Sequence, residues 1–456
     1  MKNIQEFNNR IANIKYITIN NSTGELDVFQ PDLLPQIPVR SVWNKKTITY
    51  SVEKPLLSDY HIEYMHRKHD IYKLYEFNKN QSRLARRIFQ SYADIIDIEF
   101  VEVKNGTSVD VQLLNYDKND SYHGYGFSPH EELSSPIFIN TFHSHNREPD
   151  KLNYGGKVLA HEIGHTLGLD HTHNLKIKNK LTPFSHKMSV MSYFSAKHSD
   201  ANHDNNYPST PQLLDIAILQ YRYGANISTR TGNTTYGFNS NSDREHFTAR
   251  NSNDKLIFCV WDAGGIDTLD FSRYDQNQMI NLNQGSFSHV GGLVENVSIA
   301  LNVTIENAIS GSGNDTLLGN QEKNTLTGGE GNDQLYGGGG ADHLWGGKGQ
   351  DIFCYRDRND STLNAADTIY DFESGHDKID LSYMNGGDVR LVDAITTTDN
   401  RRNGHTQVAQ FYSDTSDLTY LMIDFDDTNK TDIVIKLVGK HQLATHDFIC
   451  APLLAA

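Results

Sequence analysis

A nine-residue repeat constrains this chain more than any other feature of its sequence. Five copies follow one another between residues 310 and 354, and they read SGSGNDTLL, GNQEKNTLT, GGEGNDQLY, GGGGADHLW and GGKGQDIFC. Position six is Asp or Asn and position eight is Leu or Phe, which matches the G-G-x-G-x-D-x-U-x pattern of a parallel β-helix. The apolar eighth residues are expected to point inward and stack between coils. A flexible Gly-rich linker has no reason to keep five copies in register.

The glycines and carboxylates of this repeat predict calcium ligands. Glycine permits a positive φ, so the carbonyl groups of each turn can point at a cation, and Asp supplies the charged oxygen that Ca²⁺ prefers. Without the ion, facing carboxylates would repel one another. The predicted ligand residues are Gly311, Gly313, Asp315, Gly328, Glu330, Asp333, Gly337, Gly339, Asp342, Gly346, Lys348 and Asp351.

If two nonapeptides make one coil, as in the protein family that these repeats resemble, residues eighteen positions apart align. Asp315, Asp333 and Asp351 would then form one edge of the stack. Asn324 and Asp342 would form the other edge, which we expect to bind calcium more weakly because Asn324 is uncharged. Ordered structure beyond residue 223 should therefore depend on calcium.

A second motif, HEIGHTLGLDH at residues 161–171, has the spacing of a transition-metal site. His161 and His165 are four residues apart in a predicted helix, so both imidazoles project from one face. Gly168 permits the chain to leave the helix and bring His171 round as a third ligand. Glu162 lies beside the first ligand, where it can take a proton from a zinc-bound water. The extended motif is much more specific for catalytic Zn²⁺ than HExxH alone.

Composition argues against two classes of protein. The formal net charge is −16, so the chain lacks the basic excess with which nucleic-acid binders meet phosphate. No run of residues approaches the roughly 18 apolar residues of a membrane span, and the N-terminal segment has no apolar stretch typical of a signal peptide. Cys259, Cys354 and Cys450 are far apart in the sequence, and we expect free or half-buried thiols.

Residues before about 223 combine helical and strand patterns. Apolar spacings of three and four predict helices over 78–97, 156–169 and 210–223, and the last of these opens on Thr-Pro. Alternating patterns predict strands over 109–114 and 136–142. Beyond this point the sequence changes to short β-type runs separated by Gly, Asn and Asp. These patterns predict a mixed domain followed by an all-β one.

The motifs resemble those of the serralysins, which are secreted bacterial zinc metalloendopeptidases of the metzincin clan. The similar segments are HEIGHTLGLDH, MSY, YGFNSNSDRE, VWDAGGIDTLDFS, INLNQGSFS, VTIENAISGSGND and the nonapeptides, within roughly residues 40–450. The resemblance implies an α+β fold, with a metzincin zinc-protease domain followed by an all-β parallel β-roll domain. It also implies hydrolysis of peptide bonds in proteins, one catalytic zinc and several structural calcium ions.

The same resemblance assigns roles to individual residues. It implies that Glu162 is the general base and that zinc is bound by His161, His165 and His171. Tyr193 would bind zinc at rest and swing away to stabilise the transition state. Met191 would form the Met-turn, although seen alone it fits a buried core Met better. The family's first calcium sites correspond to Arg230, Gly232, Thr234, Asp262, Gly264, Gly265, Asp267, Thr304 and Glu306. In each site, the residues that come first in the sequence would bind through their backbone carbonyls.

Domain order and partners also follow from the resemblance. It implies a propeptide over 1–20, a catalytic domain over 21–223 and a calcium-binding β-roll with the secretion signal over 224–456. The implied partners are protein or peptide substrates, the type I secretion machinery and a proteinaceous inhibitor, and the implied location is extracellular. Substrate is expected to lie extended along an edge strand, for which GYGFS at 124–128 is the candidate.

Some residues depart from the family pattern. Thr172 occupies the place of a Pro, Phe194 occupies the place of a Trp, and the segment 172–190 is shortened. The C-terminal CAPLLAA at 450–456 continues past the family's acidic and apolar ending. We expect the additional histidines of this region to be exposed and solvated; they are His173, His186, His198 and His203.

Two other functions stay open at this point. One is a secreted calcium-binding adhesin or toxin module with a silent protease domain, which an altered Glu162 or a missing third His would favour. The other is a zinc hydrolase of non-peptide amides, against which the Met-turn pattern speaks. Because the zinc motif is complete, the sequence favours the endopeptidase.

Overall fold

The computed structural model describes most of the chain between residues 40 and 450 and two short segments before it. The described ranges are 18–19, 26–27, 40–53, 57–104, 108–130, 132–174, 176–177, 180–181, 184–384, 387–395, 406–425 and 430–450. The expected propeptide, apart from residues 18 and 19, and the tail after residue 450 lie outside these ranges, as does part of the segment 172–190. Across the described ranges, no helix combines the length and apolar character needed to cross a bilayer.

Helices packed on a five-stranded sheet form the first part of the described chain. The helices are α1 Asp59–His69, α2 Lys79–Ile95, α3 Ser144–Arg147, α4 Tyr154–His165 and α5 Leu213–Tyr223. The strands of the sheet are β3 Thr47–Ser51, β4 Glu99–Glu102, β5 Val111–Tyr116, β6 Gly124–Gly126 and β7 Ile137–Asn140. Two separate two-stranded sheets are formed by β1 Thr18–Ile19 with β2 Leu26–Asp27 and by β8 Lys176–Ile177 with β9 Lys180–Leu181. The sheet order is β4-β3-β5-β7-β6, and its pairs are parallel except for β6, which runs antiparallel to β7 along one edge.

Helix α2 confirms the amphipathic pattern and packs against this sheet. Asn78 and Gln81 close its first turn, since each side chain accepts a hydrogen bond from the other residue's backbone N–H at 2.9 Å. Phe89 stacks on Tyr50 of β3 with ring centres 4.1 Å apart. Such pairs join helix and sheet through buried apolar area and ring contact.

The other predicted elements form with shifted ends. The helix predicted over 156–169 is Tyr154–His165, and the helix predicted over 210–223 begins only at Leu213, where Asp215 accepts the N–H of Gln212 at 3.0 Å. The strands predicted over 109–114 and 136–142 are β5 and β7.

The second part of the chain winds between two sheets, in which the strands of successive coils pair parallel. One is β10-β12-β16-β18-β20-β22-β27-β26-β25-β24 and the other is β13-β17-β19-β21-β23-β28. Leu317 lies opposite Leu335, and Leu335 lies opposite Phe353, so each coil advances by eighteen residues with its apolar side chains buried. This register confirms an all-β parallel roll with two nonapeptides per coil.

Most strands of the roll are short, although β18 and β20 have six residues each, as β27 does. They are β10 Thr235–Gly237, β11 Phe258–Val260, β12 Thr268–Asp270, β13 Met279–Asn281, β14 Phe287–Ser288, β15 Val297–Ile299, β16 Asn307–Ile309, β17 Thr316–Leu318, β18 Thr325–Glu330, β19 Gln334–Tyr336, β20 His343–Lys348, β21 Ile352–Cys354, β22 Asp367–Ile369, β23 Lys378–Asp380, β24 Val389–Val392, β25 Thr406–Ser413, β26 Leu418–Asp424, β27 Ile433–Val438 and β28 Phe448–Ile449. Strands β25, β26 and β27 pair antiparallel and extend one sheet beyond the coils.

The two parts of the chain contact each other through polar groups as well as through a continuous apolar core. Asn202 and Val294 exchange backbone hydrogen bonds of 3.1 and 2.8 Å. Beside them, Glu295 accepts hydrogen bonds from Lys187 at 2.6 Å and from Nε2 of His203 at 3.1 Å. The residues from 187 to 203 are thereby fastened to the loop before β15.

Candidate active site and metal centres

Helix α4 and the turn after it bring three histidines together. One ligand nitrogen from each of His161, His165 and His171 lies within 4.8 Å of the others. The Nε2 atoms of His165 and His171 are 3.0 Å apart. Gly168 has a φ of 89°, a conformation that favours glycine, and this turns the chain back towards the helix. The three predicted zinc ligands therefore converge on one point.

Backbone carbonyls orient two of these rings. Nδ1 of His161 donates to the carbonyl of Val190 at 3.0 Å, and Nδ1 of His165 donates to the carbonyl of Leu169 at 2.8 Å. Burial lowers the pKa of His161 well below its usual value, that of His165 to about 3 and that of His171 to about 4. Neutral rings that donate through Nδ1 keep the Nε2 lone pair free for a metal. This donor set suits Zn²⁺.

Glu162 lies on the same helix with its carboxylate directed towards strand β6. Burial raises the pKa of this carboxyl to about 8, against the opposing effects of Lys157 and of a backbone hydrogen bond from Gly126. A Cβ atom at Gly126 would lie 2.5 Å from the backbone oxygen of Glu162 and 3.0 Å from Oε2. Only glycine allows the edge strand to approach the helix so closely.

Met191 and Tyr193 follow the zinc motif on the turn beneath it. Met191 is completely buried, and its Sδ would be 2.7 Å from a Cβ atom at Gly164 of the zinc helix. The hydroxyl of Tyr193 lies 2.9 Å from Nε2 of His171, whereas 59% of the side chain is exposed. The Met side chain thus forms a floor under the site, and the Tyr hydroxyl reaches the ligands from the solvent side.

Two buried ionisable residues lie next to this arrangement, and the sequence analysis missed both. Asp215 is fully buried and accepts hydrogen bonds from the hydroxyl of Ser189 at 2.6 Å and the N–H of Val190 at 2.8 Å. It therefore holds the turn that carries Met191. Lys157 is 2% exposed, and burial lowers the pKa of its ammonium to about 8. Lys157 belongs to no recognisable motif, so the sequence offered no reason to select it. Asp215 lies near the start of a predicted helix, and this position could have indicated a capping role.

The expectation of solvated histidines is wrong for two of the four. His186 and His203 are buried, and each ring hydrogen-bonds a backbone carbonyl, that of Ser192 at 3.0 Å and that of Glu295 at 3.1 Å. These bonds compensate the loss of water around the rings. His198 is exposed as expected. The fourth ring, His173, is half-buried and stacks on Tyr193 with ring centres 4.2 Å apart.

The carboxylates of the repeat form two ladders. Oδ1 of Asp333 accepts the N–H of Asp315 at 2.8 Å, and Oδ1 of Asp351 accepts the N–H of Asp333 at 2.9 Å. On the other edge, Oδ1 of Asp342 accepts the N–H of Asn324 at 2.8 Å. Among the described residues, the second carboxylate oxygen is buried without a hydrogen-bond partner in Asp333, Asp342, Asp351 and Asp367. Such unsatisfied carboxylate oxygens fit Ca²⁺.

Each ladder continues one step beyond the repeat, which the sequence analysis missed. Asp377 accepts the N–H of Asp351 at 3.0 Å, and Asp367 accepts the N–H of Asp342 at 2.9 Å. Their spacings of 26 and 25 residues differ from eighteen, so the period did not reveal them. An Asp two residues before a buried Ile, at Ile369 and Ile379, was the available signal.

The first predicted calcium sites lie where the roll begins. Oδ1 of Asp267 accepts the N–H of Thr234 at 2.7 Å, and Oε2 of Glu306 accepts the N–H of Asp267 at 2.7 Å. Oδ2 of Asp267 is buried without a hydrogen-bond partner among the described residues. The side chain of Arg230 instead pairs with Asp94 at 2.9 Å, so it offers only its backbone. Gly232 lies against Gly265, whereas Thr304 is exposed.

Comparison with known proteins agrees with this architecture. A family model described as Matrixin matches residues 42–192, and one described as Peptidase M10 serralysin C terminal matches residues 225–450. Metallopeptidase AprA of Pseudomonas marginalis is 43% identical over 401 residues, covering 84% of this chain and 82% of that protein. Serralysin A of Dickeya chrysanthemi is 43% identical over 385 residues, covering 82% and 80%. The chain belongs to the serralysin family.

Membership in the serralysins establishes the class of reaction. This serralysin is a zinc metalloendopeptidase with a catalytic zinc and structural calcium. The resemblance inferred from the motifs is confirmed, and so is the succession of an α+β protease domain and a β-roll. The reading as an adhesin or toxin module with a silent protease domain is not favoured. Among the described residues, Cys259, Cys354 and Cys450 are free thiols as expected.

Proposed function

We propose that His161, His165 and His171 hold the catalytic zinc of this serralysin and that Glu162 is its general base. The observation that carries the proposal is a buried carboxylate on the same helix as two converging, neutral imidazoles. When bound, zinc polarises the scissile carbonyl and lowers the pKa of its water. Glu162 then accepts the proton of the attacking water and returns it to the leaving amine.

Tyr193 is proposed as a zinc ligand at rest and as a hydrogen-bond donor in the transition state. Its hydroxyl is within hydrogen-bond distance of a ligand nitrogen of His171, at 2.9 Å. Because more than half of the side chain is exposed, the ring is free to swing towards substrate. A donor aimed at the developing oxyanion stabilises the transition state more than the bound substrate.

Substrate is proposed to bind as an additional strand along β6. This strand is at the edge of the five-stranded sheet and lies beside Glu162. An edge strand can offer backbone groups to an extended peptide. A peptide aligned there would present its scissile carbonyl close to the carboxylate, and this accounts for a preference for chain-internal peptide bonds.

The calcium ligands are proposed to be the residues predicted above in the repeat and in the segment 230–306. The unsatisfied carboxylate oxygens of both ladders support this assignment. Asp367 and Asp377 join the proposed set, since they extend the same ladders. Calcium would replace carboxylate repulsion inside the roll by attraction.

The remaining proposals concern the location and partners of the protein. We propose that it is secreted and acts outside the cell on proteins and peptides, that a type I machinery exports it and that a proteinaceous inhibitor restrains it. The domain limits 21–223 and 224–456 and a propeptide over 1–20 belong to the same proposal. It is supported by the family and by the end of helix α5 at Tyr223.

Digestion of casein by the purified protein, with and without a zinc chelator, tests the activity. For the residue assignment, we expect Glu162→Ala to retain zinc and to lower kcat/KM by about 10³-fold, because the general base is lost. The exposed Glu132→Ala is the matched control and should behave like the wild type. Cleavage at the wild-type rate by zinc-loaded Glu162→Ala would refute the assignment.

A further inference from the structure

Three histidine rings outside the proposed zinc site pack together next to the start of strand β6. We call His123, His143 and His145 the His123 cluster. The ring centre of His123 is 4.0 Å from that of His143 and 5.1 Å from that of His145. Tyr154, at the start of the zinc helix, presents its ring to His123 at 4.9 Å and to His145 at 5.2 Å. The cluster therefore joins the loop before β6 to helix α3 and the residue before it, and it packs against the first residue of helix α4.

The nitrogen spacing within this cluster is that of a metal site. Nε2 of His145 lies 3.1 Å from Nδ1 of His123. In the zinc triad the corresponding separation, between His165 and His171, is 3.0 Å. Tetrahedral zinc with bonds of about 2.0–2.1 Å separates two ligand nitrogens by about 3.3 Å. A small outward movement of one ring would therefore admit an ion between His123 and His145.

The surroundings of both rings favour the neutral form, which is the form that binds a metal. Burial lowers the pKa of His123 to about 4 and also lowers that of His145. The nearby charges of Lys157 and Asp120 act on His123 in opposite directions. Neutral imidazoles need lose no proton before they bind a cation.

The third ring, His143, has a buried nitrogen that the hydrogen bond between the other two histidines does not satisfy. A hydrogen bond between His123 and His145 satisfies the two nitrogens that face each other. It leaves Nε2 of His143 buried with no hydrogen-bond partner among the described residues. The nitrogens of the cluster do not all lie within 4.8 Å, as those of the zinc triad do. His143 must therefore turn its ring to become a third ligand, and this would satisfy its nitrogen.

We propose that the His123 cluster is a second transition-metal site, which binds an ion of the Zn²⁺ class through His123 and His145, with His143 as the third ligand. It is separate from the catalytic zinc and does not depend on the roles proposed for Glu162 or Tyr193. An ion there would tie the start of β6 to helix α3. It would thus fix the strand along which substrate is proposed to align.

Equilibrium dialysis of the full-length protein against Zn²⁺ tests the site, with excess Ca²⁺ present to keep the carboxylate sites filled. Bound zinc is counted by atomic emission spectroscopy. We expect two zinc ions per wild-type chain and one per chain of His123→Asn or His145→Asn. The exposed His130→Asn, from the same domain, is the matched control and should keep two. His143→Asn should bind the second ion several-fold more weakly.

Some results would overturn the proposal. They are a single zinc per wild-type chain, or a second zinc that both His123→Asn and His145→Asn retain. Circular dichroism establishes whether each variant is folded. If a variant is not, chemical modification of the histidines in the wild type decides. The second equivalent of Zn²⁺ must protect His123 and His145 from diethyl pyrocarbonate, as read by mass spectrometry, and absence of protection would contradict the site.

Discussion

At the scale of single residues, Glu162 limits which residues fit into strand β6 beside it. A Cβ at Gly126 would meet the backbone oxygen of Glu162 at 2.5 Å, whereas a Cβ at Gly124 would meet only its side-chain atoms, the closest at 2.9 Å. We expect Gly126→Ala to lower kcat/KM by about 10²-fold, since a displacement of about 1 Å near the chemistry costs that much. Gly124→Ala should lower it less. Kinetics at full zinc occupancy check this, and an unchanged Gly126→Ala enzyme would contradict it.

Tyr193 tests whether a hydroxyl or a ring is needed. Tyr193→Phe keeps the ring and removes the group that lies 2.9 Å from Nε2 of His171. If the hydroxyl stabilises the oxyanion, kcat and kcat/KM should both fall by about 10²-fold with KM nearly unchanged. The exposed Tyr122→Phe is the control. A kcat within about twofold of wild type at full zinc occupancy would show that the phenol only packs.

Site residues that recur at a fixed sequence spacing could be predicted from the sequence. Residues whose position depends on which side chains become buried could not. His161, Glu162 and His165 follow from helical periodicity, and their convergence with His171 depends on one glycine. His203 was expected in solvent, yet it is buried against the roll. Which polar side chain is covered depends on contacts between segments far apart in the sequence, and no local pattern records them.

At the scale of the coil, the two edges of the roll differ at one position. The amide of Asn324 donates to the carbonyl of Glu306 at 3.0 Å and to Oδ1 of Asn320 at 3.1 Å, and its oxygen accepts the N–H of Asn320 at 2.7 Å. Asn324 therefore satisfies its neighbours without an ion. A carboxylate would accept the N–H but could not donate to the two oxygens.

Asn324→Asp should consequently make the roll more dependent on calcium. We expect lower stability in excess chelator, because the buried carboxylate would face the carbonyl of Glu306 and Oδ1 of Asn320 without donating to either oxygen. We expect a lower calcium concentration at the folding midpoint, because the ladder gains a charged ligand. Calcium titrations of the full chain followed by circular dichroism measure both effects. A β signal that is unchanged in chelator, in the wild type and in the variant, would refute the coupling.

The repeat predicted the register of the roll but not its ends. Eighteen-residue spacing places Leu317, Leu335 and Phe353 in one stack, as observed. Past Cys354 the period is lost, and the next ladder residues, Asp367 and Asp377, follow insertions that no period describes. The long antiparallel strands β25 to β27 close the same sheet by ordinary alternation of side chains.

At the scale of the whole molecule, His203 makes the contact between protease and roll sensitive to acid. Nε2 donates to the carbonyl of Glu295, and Nδ1 is buried without a partner among the described residues. Burial lowers the pKa of His203 from 6.5 to about 4. A lowered pKa of this kind contributes stability above pH 6.5 that is lost as the pH falls towards 4, amounting to about 3 kcal/mol.

Replacing His203 by a residue that cannot be protonated should remove its contribution to the loss of folding stability at low pH. Gln can keep the donated hydrogen bond, so His203→Gln should lose less free energy of unfolding than the wild type between pH 7 and pH 4.5. Urea unfolding of the calcium-loaded protein at both values measures this difference. The exposed His376→Gln is the control. Equal losses in wild type and His203→Gln would contradict a role for this ring.

The sequence predicted two successive units without predicting how they meet. Each unit has its own pattern, whereas their contact depends on Lys187, Glu295 and the backbone of Asn202, which carry no motif. Side chains at such contacts are chosen by shape and partner, and a single sequence does not reveal the partner.

The eighteen-residue register also means that the length of this molecule comes in discrete steps. Removing residues 319–336 would take out one complete turn, and Leu318 would then lead into Gly337 with every later strand still in its own sheet. Removing nine residues instead would move each following strand to the opposite sheet. It would also interchange the edge that is expected to bind calcium tightly with the edge that is expected to bind it weakly. The roll therefore behaves as a screw thread that can be shortened by whole turns only.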